Sequence, residues 1–246
     1  MSSGLRRALR SLLRPGACAG ALLFVFLAQV AGCREDGTGP PSPSPQAVGG
    51  LVFTEGDTLI FDAYGLDPYG YAIAASHTTP LWRIYDVGGT FAGAGNVTSV
   101  ADYPDPGTSP ALSDTLRFRF LPSGDIYQYG FIAGVVERRE GVHLVPAWDR
   151  IAALSLPSNT MWAVGTVDTL GTDTLRGTVT GDQGYFIAVL NGVRTAFHGY
   201  GVSLSSIDIA YSIVVSDVPP AVLLVREESS QLSNGFLRYL TSMKKH

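Results

Sequence analysis

From residue 50 onward, apolar and polar residues alternate with period two in one stretch after another. Leu116, Phe118 and Phe120 alternate with Thr115, Arg117 and Arg119, and Ile207, Ile209, Tyr211, Ile213 and Val215 alternate with Asp208, Ala210 and Ser212. That period places one set of side chains on a buried face and the other on a wet face, the mark of a half-buried β-strand. The same reading predicts strands at 58–64, 81–87, 125–135, 142–155, 161–168, 174–180, 185–190, 193–204, 221–230 and 236–243.

The intervals between these runs are turns. Asn191-Gly192 separates Tyr185–Leu190 from Val193–Tyr200, and Asn234-Gly235 separates Ala221–Leu232 from Phe236–Met243. Asn-Gly between apolar runs predicts a type I′ hairpin, which needs positive φ at both central residues. Pro122-Ser123-Gly124 and Leu170-Gly171-Thr172 predict two more turns, and Glu137-Arg138-Arg139-Glu140-Gly141 a charged, solvated one. Residues 88–113 read as a long irregular connection, a lid or a floppy insertion.

Consecutive hairpins make an antiparallel meander. No helix-period segment is long enough to cover both faces of a parallel sheet, which excludes an α/β fold. A sheet of about ten strands with one apolar face must curl to bury it. The expected fold class is all-β, with at most one short helix, as a meander curled into a half-barrel or open barrel. A closed barrel and a sandwich are the alternatives.

The beginning of the chain follows a different pattern. Residues 1–16 hold four arginines and no acid, and Ala17 to Ala31 is almost wholly apolar. That apolar run is too short to span a bilayer as a helix, which needs about 20 residues, and suits a signal-peptide core. Val30, Ala31 and Gly32 precede Cys33, an arrangement that resembles the bacterial lipobox, whose cysteine is acylated and becomes the mature N-terminus. Acyl chains add roughly 0.8 kcal/mol of membrane affinity per buried CH₂, so several together hold firmly. Cys18 lacks the right preceding residues and comes before the apolar core, so it reads as a discarded part of the signal, and with Cys33 acylated no thiol is left for a disulfide or a metal. Arg34 stands where an inner-membrane retention signal has Asp, which points to the outer membrane.

Three regions follow: 1–33 as lipoprotein signal peptide, 34–49 as tether and 50–246 as a single β-rich domain. The tether, rich in Pro, Gly and Ser, cannot bury apolar surface and favours extended polyproline conformations. Division at Cys33 also sharpens the charge. Four of the 17 basic residues (Arg6, Arg7, Arg10, Arg14) precede it and none of the 21 acidic ones does, so the remainder carries 13 basic against 21 acidic residues, a net of −8. That balance argues against a nucleic-acid partner and against electrostatic adhesion to anionic lipid.

Two segments carry a resemblance. Asp149–Val164 places Leu156-Pro157 a few residues before Trp162, and Gly124–Gly130 reads Gly-Asp-Ile-Tyr-Gln-Tyr-Gly. Together they look like a loose class of bacterial envelope lipoproteins, some of which resemble the half-barrels of the Lol lipoprotein carrier and receptor. Ser158-Asn159-Thr160 departs from that pattern, which commonly has Gly-Asp before the tryptophan. The resemblance implies a curled sheet whose concave apolar face holds acyl chains.

Chemistry-bearing motifs are sparse. His77, His143, His198 and His246 form no zinc-ligand spacing, and no Gly-x-Ser-x-Gly elbow occurs. Ser242-Met243-Lys244-Lys245 matches Ser-x-x-Lys by pattern alone. Asp102, Asp105 and Asp114, and Asp168 with Asp173, are acidic turns without calcium-loop spacing. Tyr64, Tyr69, Tyr71, Trp82, Tyr85, Tyr127, Tyr129, Trp148, Trp162, Tyr185 and Tyr200 are suited to line a groove for sugar or lipid, though aromatics also favour strands for packing. The expectation is therefore a non-catalytic, cofactor-free and metal-free lipoprotein, anchored through Cys33 in the cell envelope. It binds an apolar or lipid-like ligand in its concave sheet. The alternative is an Ig-like sandwich or structural module that holds another envelope protein or a glycan.

Overall fold

The computed structural model describes residues 53–104, 114–168, 173–207, 209–217, 220–228 and 235–246. Cys33, the lipobox residues Val30, Ala31 and Gly32, the tether, Asp105, Leu170-Gly171-Thr172 and Asn234 lie outside them. The described residues form an all-β fold with one short helix. Its strands are β1 (Thr58–Gly65), β2 (Leu81–Phe91), β3 (Ala94–Tyr103), β4 (Asp114–Phe120), β5 (Asp125–Tyr129), β6 (Trp148–Ala153), β7 (Met161–Thr166), β8 (Thr174–Leu190), β9 (Val193–Ser205), β10 (Ala210–Asp217), β11 (Pro220–Glu227) and β12 (Phe236–Lys244). Helix α1 (Phe131–Glu140) lies between β5 and β6.

All twelve strands belong to one sheet, in the order β6-β5-β4-β3-β2-β1-β12-β11-β10-β9-β8-β7. The pairs along this order are antiparallel, as the hairpin signals predict. The sheet curls on itself at two places. Ser242 and Met243 of β12 pair in parallel with Val189 and Leu190 of β8, which closes β8–β12 into a ring. The two end strands, β6 and β7, are stitched by a side chain: the Trp162 indole N–H donates to the Arg150 carbonyl at 2.9 Å.

Strand β8 runs 17 residues where alternation predicts two separate strands. Its register with β9 slips at Gly181 and at Gly184, and both glycines have positive φ. Bulges of this kind bend a strand and strengthen its twist, so the distal half of the β8–β9 hairpin can leave β10 and reach β12. Asn191 and Gly192 close that hairpin with φ 49° and 84°, the predicted type I′ turn.

Two expectations are corrected. The span from 88 to 104 is not irregular: β2 and β3 form a hairpin closed at Ala92-Gly93 (φ 47° and 75°) with three register slips. Its glycines and bulges interrupt the alternation that would have marked it. The segment 131–140 is helix rather than strand and charged turn. Ile132, Val135 and Val136 are buried, and Gly141 ends the helix in the left-handed conformation. Its first turn has no local cap. The N–H of Ile132 instead donates to Asp149 Oδ2 at 2.9 Å, from β6. Accordingly β6 starts only at Trp148, after Pro146.

The inner face is packed through. Phe61, Phe118, Phe197, Leu204 and Leu223 are almost fully buried in one apolar cluster that also takes in Ile132, Val135 and Val136 of α1. Among the described residues, the interior gap beside Phe120, Ile126, Leu154 and Val215 measures about 10 Å³, roughly room for a single water. Among the described residues, the concave face expected to hold a lipid-like ligand is lined by the protein's own buried side chains.

Candidate functional site

A cleft of about 390 Å³ opens on the opposite, outer face of the sheet, where β12, β1, β2 and β3 meet. Strand register explains its lining. Leu59, Trp82, Ile84 and Met243 point inward and are buried, so the alternate positions point outward. Lys244 pairs with Thr58 and Thr58 with Arg83; in the next row Ser242 pairs with Ile60, Ile60 with Leu81, and Leu81 with Tyr103. The first row gives the cleft two cations, and the second gives it a largely apolar floor.

The end of β12 supplies the rim. Asp57 is fully buried and accepts hydrogen bonds from the N–H groups of Thr54 and His246, both at 2.8 Å, and from the Lys245 ammonium. Burial alone would raise this carboxyl's pKa, but the Lys245 bond and the two N–H donors outweigh it and hold the group below the ordinary aspartate range. Asp57 thereby fixes Lys245 and His246 beside Gly56 at the cleft. Lys245 is consumed in this clasp. Arg83 and Lys244 are exposed and have no ion-pair partner among the described residues.

The other three histidines are placed elsewhere. His198 has Nε2 2.9 Å from Asp182 Oδ1 and Nδ1 3.1 Å from the Tyr200 hydroxyl, with the Tyr185 ring packed at 5.1 Å. Tyr200 is buried, and both imidazole nitrogens are engaged, so the group is a strand-to-strand brace. His77 lies 3.2 Å from Asp62 and packs on Tyr64, which stacks on Tyr239. Burial there, with Tyr64 and Asp62 close by, pushes the Tyr239 hydroxyl up to about 12. His143 meets Glu137 at the surface.

Among the described residues, the acidic turns bring no cation site together. Asp102 and Asp114 face each other across β3 and β4, but Asp102 pairs with Arg238 at 3.5 Å on the inner face. Its burial raises its pKa against the pull of Arg238. No group of three or more potential metal ligands occurs among the described residues. Nor do the aromatics line one groove. Trp82 and Tyr200 are buried, Trp162 bridges the sheet ends, and Tyr69, Tyr71 and Tyr185 are exposed. Alternation identified the strands, but the cleft depends on which strands become neighbours, and Lys244, Thr58 and Arg83 are far apart in sequence.

No family model and no curated protein matches the sequence. Two solved structures are similar to it. One is a candidate lipoprotein from Parabacteroides distasonis, at 8% identity and TM-score 0.38, over 81% of this chain and all of that one. The other is a candidate exported protein with a YmcC-like fold from Bacteroides fragilis, at 9% identity and TM-score 0.38, over 80% of this chain and all of that one. A likeness at this level does not carry function over to this chain.

Proposed function

We propose that this chain is a non-catalytic lipoprotein of the cell envelope, held at the outer membrane through acylated Cys33, whose β domain binds an amphiphilic anion in the outer-face cleft. The observation that carries the binding reading is the pair of cations without an ion-pair partner among the described residues, Arg83 and Lys244, over the Leu81–Tyr103 floor. The ligand class keeps the lipid-like character expected from the sequence but moves it from the inner face, which is full, to the outer one. A cleft of this size suits a small ligand, and its make-up asks for one charged end and one apolar end.

Octanoate and octanol test this reading because they share a chain and differ in charge. Thermal unfolding of the full chain should shift upward with octanoate and not with octanol, by mass action on the folded state. The double variant Arg83→Ala, Lys244→Ala should lose the shift. An equal response to octanol, or a response that survives the double substitution, would overturn it. A second reading, a module that holds another envelope protein or a glycan, draws on Tyr69, Tyr71 and Ile73, which are exposed in the β1–β2 connection.

A further inference from the structure

The cleft is part of a wider surface. The outward row Ser242–Ile60–Leu81–Tyr103 continues into β8, because Ser242 pairs with Val189. On the same face of β8, two and four residues before Val189, stand Ile187 and Tyr185, which are 54% and 73% exposed. An apolar row therefore runs from the cleft to Val189 and turns back along β8, away from the β8–β9 tip, through Ile187 to the exposed Tyr185, with Lys244 and Arg83 in the row beside its cleft end. The net charge of −8 predicts repulsion from anionic lipid, but the charge is not spread evenly. At this face Arg83 and Lys244 have no ion-pair partner among the described residues, and of the acids on the 54–57 turn Asp57 is buried against Lys245 while Glu55 is exposed.

The described residues also begin here. Phe53, the first described residue, lies under the Lys245 ammonium at 5.8 Å, and residues 34–52 lead from Cys33 to it. A lipid on Cys33 would keep Phe53, and this face with it, within the tether's reach of the bilayer. We infer that this face is a second membrane contact, with Arg83 and Lys244 on the phosphate of an anionic phospholipid headgroup and Tyr185 and Ile187 at the interface. Tyrosine is suited to that depth, where one end is apolar and the other wet. The inference rests on the proposed anchoring at Cys33 and names the source of the anion in the proposed cleft.

Lys244 and Lys245 are the two lysines of the whole chain, so amine acylation read by mass spectrometry reports on this face. The acylated full chain is reconstituted in phosphatidylcholine vesicles with and without phosphatidylglycerol, and flotation is scored alongside. With phosphatidylglycerol, Lys244 should react about fivefold more slowly, as one surface cation near anionic lipid implies. Lys245, held by Asp57, is the internal reference. High salt and Arg83→Glu, which keeps both lysines, should each abolish the difference; an unchanged unfolding temperature shows that the variant is folded. Equal Lys244 rates in floating vesicles of both compositions would overturn the second contact and leave anchoring intact, whereas failure to float would count against anchoring. Equal protection by millimolar inorganic phosphate in phosphatidylcholine vesicles would assign the cleft to free phosphate and overturn the membrane contact.

Discussion

The two faces of the sheet are made by the same strands and use charge in opposite ways. On the inner face, Asp102 meets Arg238, Glu227 accepts from the Tyr211 hydroxyl and lies 3.9 Å from Arg138, and Asp149 takes a helix N–H. On the outer face at the cleft, Arg83 and Lys244 have no such partner among the described residues. A buried charge must be neutralised or hydrogen-bonded because desolvation is costly, and inner-face charges therefore say little about ligands. An exposed cation above an apolar floor is under no such constraint. The difference separates charge that holds the fold from charge available to a ligand, and it can be broken or sharpened by substitution.

The largest effect belongs to the inner face. Phe197→Ala, at a fully buried position, should cost about 3–5 kcal/mol in chemical denaturation, since the neighbours cannot close the cavity. A loss below about 1 kcal/mol would mean that the interior has room for a ligand after all.

Asp149 comes next. Desolvation raises its pKa to about 6, although the N–H groups of Ile132 and Phe131 pull it down. Because the folded-state value exceeds the unfolded one, its favourable contribution is complete below pH about 4 and is lost as pH rises through about 6, a span worth about 3 kcal/mol. Asp149→Asn keeps an acceptor for the helix and should flatten that stretch of the stability–pH curve. Asp57 has the opposite sign: its contribution is present above the unfolded aspartate value and is lost as pH falls through the lowered one, and Asp57→Asn should remove that acid-side dependence.

A smaller loss, about 1 kcal/mol, is expected for Trp162→Phe, which removes the indole donor to Arg150 but keeps most of the ring. Hydrogen exchange should accelerate at β6 and β7 before it does at β9. Smallest of all, Arg83→Ala should change stability by less than about 0.5 kcal/mol while it abolishes the octanoate response. That split between stability and binding is the sharpest form of the comparison.

Much of the fold was legible in the sequence because period-two alternation and Asn-Gly turns are local signals. Leu116–Phe120 and the Asn191-Gly192 hairpin needed no tertiary information. Helix α1 was not legible: Ile132-Ala133-Gly134-Val135-Val136 has as much strand character as helix character, and its cap, Asp149, is supplied from β6. The β2–β3 hairpin was obscured by Gly88, Gly89 and Gly93, which permit its bulges and turn while diluting the pattern. The cleft was invisible for a third reason. Thr58, Arg83 and Lys244 become a row only through the β12–β1–β2 order, and no local spacing encodes that order.

Membrane attachment and the ligand proposed for the cleft both hang on the thiol at Cys33, which the intact mass of the chain extracted from envelope membranes reports. The predicted species starts at Cys33 and carries acyl chains, and a Cys33→Ser variant leaves the membrane fraction. A wild-type chain that is unacylated at Cys33, or a Cys33→Ser variant that matures and stays with the membrane as the wild type does, would contradict that attachment.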